Sequence, residues 1–323
     1  MRLWVWMGLM VWLFAGHAAG AHTVGFEVIS VPVPGDRPLQ VGVWYPTDAP
    51  ESVQRLGLSR QSVAAPGAPL VGRRLPLVVA SHGTGGSFRD HHDTAHALAE
   101  AGFVVAALSH TGDTYDDHSR AIRMGDRTVQ ISLLIDYMSR DWRAHTAIDL
   151  QRIGMFGFSS GGFTALVAIG GEPDLAKIVP HCAEHPAYFD CMQTRQFGPD
   201  GPGELHPKAR DPRIRAAVVA APALGFTFAP GGLAKVKVPV QLWRAERDTI
   251  LPNPLYAETV RGLLPRAPDY RVVPGADHFD FLPPCSPELA QVAPQICRTT
   301  IDRAAFHAGF NTDVVAFFRK ALR

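Results

Sequence analysis

From residue 75 onward, short apolar runs recur along this chain: 75–80, 103–108, 153–158, 214–220, 238–243 and 270–273. Runs this short, apolar with little alternation, read as strands buried on both faces. Between them the spacing turns helical. Residues 90–101 form a predicted helix stopped by Gly102, and residues 128–138 carry Val129, Leu133, Leu134 and Tyr137 along one side. Another helix follows Gly162 through Phe163, Ala165, Leu166 and Ile169, and two more are expected over 256–263 and 312–322. Strands alternating with helices imply a parallel sheet covered on both sides, an α/β domain. Ahead of them, 23–33 and 40–44 read as two antiparallel strands at one edge. Residues 46–74, rich in Pro, Gly and Ala, read as an irregular surface loop. A second irregular stretch, residues 172–213, leaves the sheet after the 163–169 helix. It is expected either to lie over one edge of the sheet, lid-like, or to pack outside it.

The start of the chain belongs to a different class of pattern. Arg2 precedes an apolar run over 3–14, and small residues follow to Ala19-Gly20-Ala21. A charged start, an apolar stretch too short to span a bilayer and a small-residue cleavage site describe an export signal, cut after Ala21. The remainder, 22–323, is long enough for one large α/β domain without a membrane span. Export directs attention to the four cysteines, Cys182, Cys191, Cys285 and Cys297, which fall into two close pairs. In an oxidising compartment an even number so spaced suggests two disulfides, with three connectivities formally open. Neither pair has the spacing of a zinc site. Charge is balanced, 31 basic against 30 acidic side chains, with no basic run. Nucleic acid and anionic membranes are therefore not expected partners.

The chemistry concentrates in Gly157-Phe158-Ser159-Ser160-Gly161, directly between a strand and a helix. A serine on such a turn is lifted above the sheet edge, and the helix start aims free N–H groups at it. A hydroxyl needs a base to become a nucleophile, and donors for the oxyanion it creates. The base expected is His278, in the turn after the last strand. Asp248, after the 238–243 strand, is expected to orient it, with Glu246 a competitor. Asp277 and Asp280 are too near His278 in sequence to reach its Nδ1. Oxyanion donors are expected from the N–H groups of Thr84, in the loop Ser81-His82-Gly83-Thr84-Gly85-Gly86, and of Ser160. His82 is expected to brace that loop and not to act as a base. His110, Asp113, Asp116, Asp117 and His118 read as a polar loop after another strand. A group of His91, His92, Asp93 and His96 offers the alternative of a metal-dependent hydrolase. A helix start facing solvent explains it with less, and no metal is expected. An exported serine peptidase using the same three residues is the other alternative.

These motifs, with Val41-Gly42-Val43-Trp44-Tyr45-Pro46 and His278-Phe279, resemble the α/β-hydrolase branch of predicted dienelactone hydrolases and platelet-activating-factor acetylhydrolase-like esterases. The resemblance runs from about residue 24 to 318. It implies an α/β-hydrolase fold, a serine esterase cleaving small-molecule or lipid-like esters with Ser159, Asp248 and His278, and no cofactor. Two departures stand out. Dienelactone hydrolases carry cysteine where this chain has Ser159, and many relatives carry histidine at the position of Phe158.

Overall fold

The computed structural model describes residues 22–198, 205–206 and 209–323. The expected export signal, residues 1–21, lies outside them, as do parts of the 172–213 stretch. In chain order the strands are β1 (Thr23–Val31), β2 (Leu39–Thr47), β3 (Glu51–Leu56), β4 (Ser59–Ala64), β5 (Leu75–Ser81), β6 (Val104–Leu108), β7 (Ile148–Phe158), β8 (Ile214–Ala220), β9 (Val240–Ala245) and β10 (Asp269–Val273). The longer helices are α1 (His92–Glu100), α2 (Met124–Arg140), α3 (Ser160–Ala168), α4 (Ile178–Glu184), α5 (Phe189–Phe197), α6 (Ala257–Leu263), α7 (Pro287–Val292), α8 (Pro294–Cys297) and α9 (Arg303–Ala321).

Eight strands make one sheet in the order β1-β2-β6-β5-β7-β8-β9-β10. The first three are joined antiparallel and the rest run parallel. Alternate residues feed two cores. Leu77, Val79, Ile153 and Met155 join α2 and α3 on one face. Val78, Phe156 and Phe158 join α1 and α9 on the other, through Leu98, Phe310, Val314 and Phe318. Because β5 to β10 are parallel, the loops after β5, β6, β7, β9 and β10 all emerge at one edge, where α/β proteins gather their ligands.

Three sequence expectations are corrected. Residues 46–74 are not irregular throughout: β3 and β4 pair as a hairpin across the two-residue turn Gly57-Leu58, with Gly57 at φ 64°. Its strands are mostly polar, and only Leu56, Val63 and Ala64 among their apolar residues are buried. The hydrophobic signal of a strand is therefore weak there. The 172–213 stretch contains α4 and α5, joined by the Cys182–Cys191 disulfide. Helices of seven and nine residues show too few turns for a periodic pattern to emerge. Helix α2 begins four residues earlier than expected, and its buried face is turned. Ile131, Leu134, Ile135 and Met138 face the core together with the polar Arg127 and Gln130, while Val129, Leu133 and Tyr137 are only half-buried.

The second disulfide, Cys285–Cys297, ties the segment holding α7 and α8. In the chain-entropy account, each bridge contributes about 3 kcal/mol by restricting the unfolded chain.

Helix α3 crosses β5 and β7 with no room for side chains at two glycines. A side chain on Gly161 would put its Cβ 2.0 Å from the Ser81 carbonyl oxygen, and one on Gly157 would meet the Gly161 carbonyl oxygen at 2.1 Å. Both neighbours are backbone and cannot swing aside. Gly161→Ala should therefore cost about 3 kcal/mol or more in urea denaturation. Gly262→Ala, at an exposed position of helix α6 with nothing within 4 Å of the new Cβ, should instead gain about 0.5–1 kcal/mol. Equal effects at the two positions would refute the crossing as a packing constraint.

Candidate active site

Strand β7 ends at Phe158 and α3 begins at Ser160, leaving Ser159 alone to make the turn. Its backbone sits at φ 55°, ψ −118°, a region that non-glycine residues rarely occupy. Such a conformation costs about 1–3 kcal/mol and persists only where its surroundings hold it. Here the Ser159 N–H donates to the Ala220 carbonyl at 2.9 Å, while its carbonyl accepts from Phe163 at 3.1 Å and Ala223 at 3.0 Å. The turn is thereby anchored to β8 and to α3.

The Ser159 hydroxyl lies 3.1 Å from Nε2 of His278. Nδ1 of the same ring lies 2.8 Å from Oδ2 of Asp248. The other Asp248 oxygen accepts the backbone N–H groups of Ile250 at 3.1 Å and Leu251 at 2.7 Å, which fixes the carboxylate's plane. With Asp248 accepting at Nδ1, the neutral ring carries its proton there, and Nε2 is free to accept from the serine. Glu246, the competing acid, instead accepts the Gly275 N–H at 2.8 Å. Asp277 and Asp280 build the turn that carries His278. Asp277 accepts from the His278 N–H at 2.7 Å and the Thr249 N–H at 2.8 Å, and Asp280 accepts from the Asp277 N–H at 2.9 Å. Arg303, from α9, ion-pairs with Asp280 beneath it at 3.3 Å.

On the opposite side of Ser159 lies the loop after β5. As the first residue of α3, Ser160 has no carbonyl one turn earlier to receive its N–H. Thr84 faces it, the two hydroxyls 2.6 Å apart. The Thr84 N–H has no hydrogen-bond partner among the described residues. Two free donors thus flank the serine.

A buried polar network, largely unforeseen in the sequence, holds the Thr84 loop. The Arg127 guanidinium, from α2, donates to the His82 carbonyl, to Thr164 Oγ1 at 3.1 Å and to the Asp113 carboxylate. Asp113 in turn accepts the Gly85 N–H at 2.7 Å. The loop is therefore gripped on both sides of Gly83-Thr84. The His110 N–H donates to His82 Nε2 at 2.9 Å, so the His82 proton resides on Nδ1 and goes to the Gly83 carbonyl at 2.5 Å. His110 bridges Ser81 at 2.8 Å and Gln130 at 2.7 Å. Burial, and secondarily the Arg127 charge, keeps both imidazoles well below the usual histidine pKa. They are neutral braces. Burial also pushes the Asp113 carboxyl up and the Arg127 guanidinium down despite their contact. Removal from water outweighs their attraction, so the pair serves geometry more than stability.

The residues of the metal alternative diverge. His92 Nδ1 donates to the Arg89 carbonyl at 3.0 Å, His96 Nε2 to the Ser62 carbonyl at 2.8 Å, and Asp93 accepts from His307 at 2.7 Å. His91 packs its ring against Phe156 and Phe158, with neither nitrogen hydrogen-bonded. A different group, His181, Asp190 and Cys191, does cluster within 4.8 Å. Its sulfur, however, is bonded to Cys182, and Asp190 accepts from Tyr256 at 3.0 Å.

One hollow opens at Ser159 and a second beyond the Thr84 loop. A small one of about 40 Å³ is walled by Ser159, Ser160, Met124, Phe189, Leu224 and Leu251. Helix α5 thus contributes a wall to the hollow at Ser159. A large cleft of about 590 Å³ begins on the far side of Thr84, between the β3–β4 hairpin and the α7–α8 segment.

No protein-family profile matches the chain, and no curated protein sequence does. Among solved structures it is similar to a ferulic acid esterase from Streptomyces cinnamoneus, with TM-score 0.63 and 21% identity over 94% of this chain and 92% of that one. It is also similar to a dienelactone hydrolase from Anabaena variabilis, with TM-score 0.56 and 17% identity over 94% of this chain and 100% of that one. The fold is the α/β-hydrolase fold.

Arg127→Met leaves the Asp113 carboxylate buried without its partner and should cost about 3–5 kcal/mol in urea denaturation. Adding Asp113→Leu should restore most of that stability, yet leave the Gly85 amide exchanging faster with solvent than in the parent. A double variant as unstable as the single one would contradict this balance of costs.

Burial drives His91 to about 3, below the ordinary histidine value, so as pH falls the unfolded chain protonates first. Its contribution is whole above about pH 6.5 and lost progressively toward pH 3, at about 1.4 kcal/mol per unit. The thermal midpoint of His91→Leu should decline less than that of the parent between pH 6.5 and 5. Parallel declines would show that His91 is not the group responsible.

Proposed function

We propose that this protein is an exported serine hydrolase that cleaves carboxylic esters through an acyl-enzyme. The observation that carries the proposal is the unbroken hydrogen-bonded chain Asp248–His278–Ser159, at 2.8 and 3.1 Å, on a strained turn facing two free N–H donors. Ser159 attacks the ester carbonyl as His278 Nε2 takes its proton. The oxyanion forms between the N–H groups of Thr84 and Ser160, each such donor being worth roughly 3 kcal/mol of barrier. His278 then passes the proton to the departing alkoxide oxygen as the C–O bond breaks. Water, activated by the same imidazole, releases the acid from Ser159. Asp248 keeps the ring in its tautomer and stabilises the imidazolium. Every group this sequence needs belongs to the chain itself.

The small hollow at Ser159 suits a short acyl group. Export is supported by the leader read in the sequence and by the two disulfides, which persist in oxidising compartments. No helix among the described residues is long and apolar enough to cross a membrane.

A fluorophosphonate probe should label Ser159 and nothing else, and Ser159→Ala should abolish labelling and lower ester hydrolysis by more than about 10³-fold. Across p-nitrophenyl esters, acetate and butyrate should be cleaved faster than decanoate, and peptide anilides should not be cleaved. Labelling at another residue, or full activity in Ser159→Ala, would end the proposal.

A further inference from the structure

The larger cleft holds an ionisable group that the catalytic chain does not use. Asp90 stands in its wall, just ahead of α1. One carboxylate oxygen accepts the Ser87 hydroxyl at 3.1 Å. The Ser87 backbone also donates toward the carboxylate, and the oxygen turned away from the Ser87 hydroxyl occupies the space over Gly86 where a side chain would stand: a Cβ there would lie 2.1 Å from it. Glycine at 86 therefore makes room for the carboxylate beside the oxyanion loop. A negative charge there opposes the oxyanion that the loop is built to stabilise, so the group costs activity unless it does something in return. Desolvation by its neighbours pushes it up to about 6, although the side chain is only half-buried and opens on the cleft. A hydrogen-bond donor arriving with the substrate would supply what the wall lacks.

The geometry also says which part of an ester enters the cleft. The departing alkoxide must receive its proton from His278, so it lies on the imidazole's side. The rings of Phe158 and Phe279 pack against that imidazole, with centroids 4.9 and 5.5 Å away, and both line the large cleft. The acyl carbon stays on Ser159, which lines the small hollow. The rest of the large cleft is mainly apolar, with Leu58, Leu282, Pro284 and Ile296 among its walls, and its 590 Å³ lies in the range of sites for molecules larger than an ethyl group. Arg89 shares the wall with Asp90, which disfavours a cationic group beside it. A neutral hydroxyl remains the donor that fits.

We propose that this cleft is the alcohol subsite, that it takes a bulky aromatic or cyclic alcohol, and that Asp90 is the specificity-determining residue that accepts a hydrogen bond from a hydroxyl group on it. The assignment rests on the ester-hydrolase proposal above.

Acetyl esters keep the acyl group constant and test it. The set is ethyl acetate, 2-phenylethyl acetate and the three ring-hydroxylated 2-phenylethyl acetates, compared by kcat/KM. The aromatic ester should exceed ethyl acetate by at least about tenfold, and one hydroxylated isomer should exceed the unsubstituted ring by about tenfold. In Asp90→Leu that hydroxyl preference should fall to near unity, and in Asp90→Asn, whose amide oxygen still accepts but carries no charge, it should fall only partly, whatever happens to turnover overall. A ratio measured on one preparation is blind to partial misfolding. Leu58→Glu, on the exposed hairpin turn, should lower the aromatic-to-ethyl ratio several-fold. No preference for any hydroxylated isomer in the parent, or one that survives in full in Asp90→Leu, overturns the assignment of Asp90. An aromatic-to-ethyl ratio near unity overturns the subsite. In either case Ser159→Ala separates the two levels: if it abolishes cleavage of all five esters, only the subsite is wrong, and if cleavage persists, the ester-hydrolase proposal itself fails.

Discussion

Helix α3 can approach β5 and β7 as closely as it does only because Gly157 and Gly161 present no side chains at the crossing. Everything at the site inherits its position from that approach. It forces the chain to turn within a single residue, puts Ser159 in a backbone conformation that its neighbours must hold, and leaves the first N–H of the helix beside the serine hydroxyl. A wider spacing would relax the turn and withdraw the donor. The strain is local, but hydrogen bonds from β8 and from the first turn of α3 distribute its support.

The other half of the site is held by charge buried at some expense. Arg127 and Asp113 are both disfavoured in their ionised forms where they sit, yet they take the two sides of the loop that carries Thr84. A loop with so many glycines has little stiffness of its own. Two neutral histidines complete the bracing, each with both ring nitrogens engaged. The result is an electrostatic environment fixed in advance, which is the form of stabilisation that the proposed oxyanion hole would draw on. Asp90 stands apart from this network, in a cleft wall.

The alternation of buried strands and helices was legible in the sequence because strands covered on both faces must be apolar throughout. Ser159 was legible through its flanking glycines, and Asp248 and His278 through their places just after strands. The hairpin β3–β4 was not, since strands with one wet face and few apolar residues carry little signal, although the Leu56-Gly57-Leu58-Ser59 turn was there to find. The face of α2 was misjudged for a related reason. Arg127 and Gln130 are polar, and a pattern of hydropathy assigns polar residues to solvent, whereas in the fold they are buried because they have partners in the loops after β5 and β6.

By itself, then, the order of residues determined the layering of the domain and which strand ends would carry reactive side chains, because both follow from local hydropathy and local turn chemistry. Only the folded chain decided that Asp248 and not Glu246 meets the imidazole, that α5 lines the hollow at Ser159, and that Arg127 and Asp113 grip the Thr84 loop. Those outcomes depend on distances between residues remote in sequence, and on which buried polar group finds a partner, neither of which a linear pattern contains.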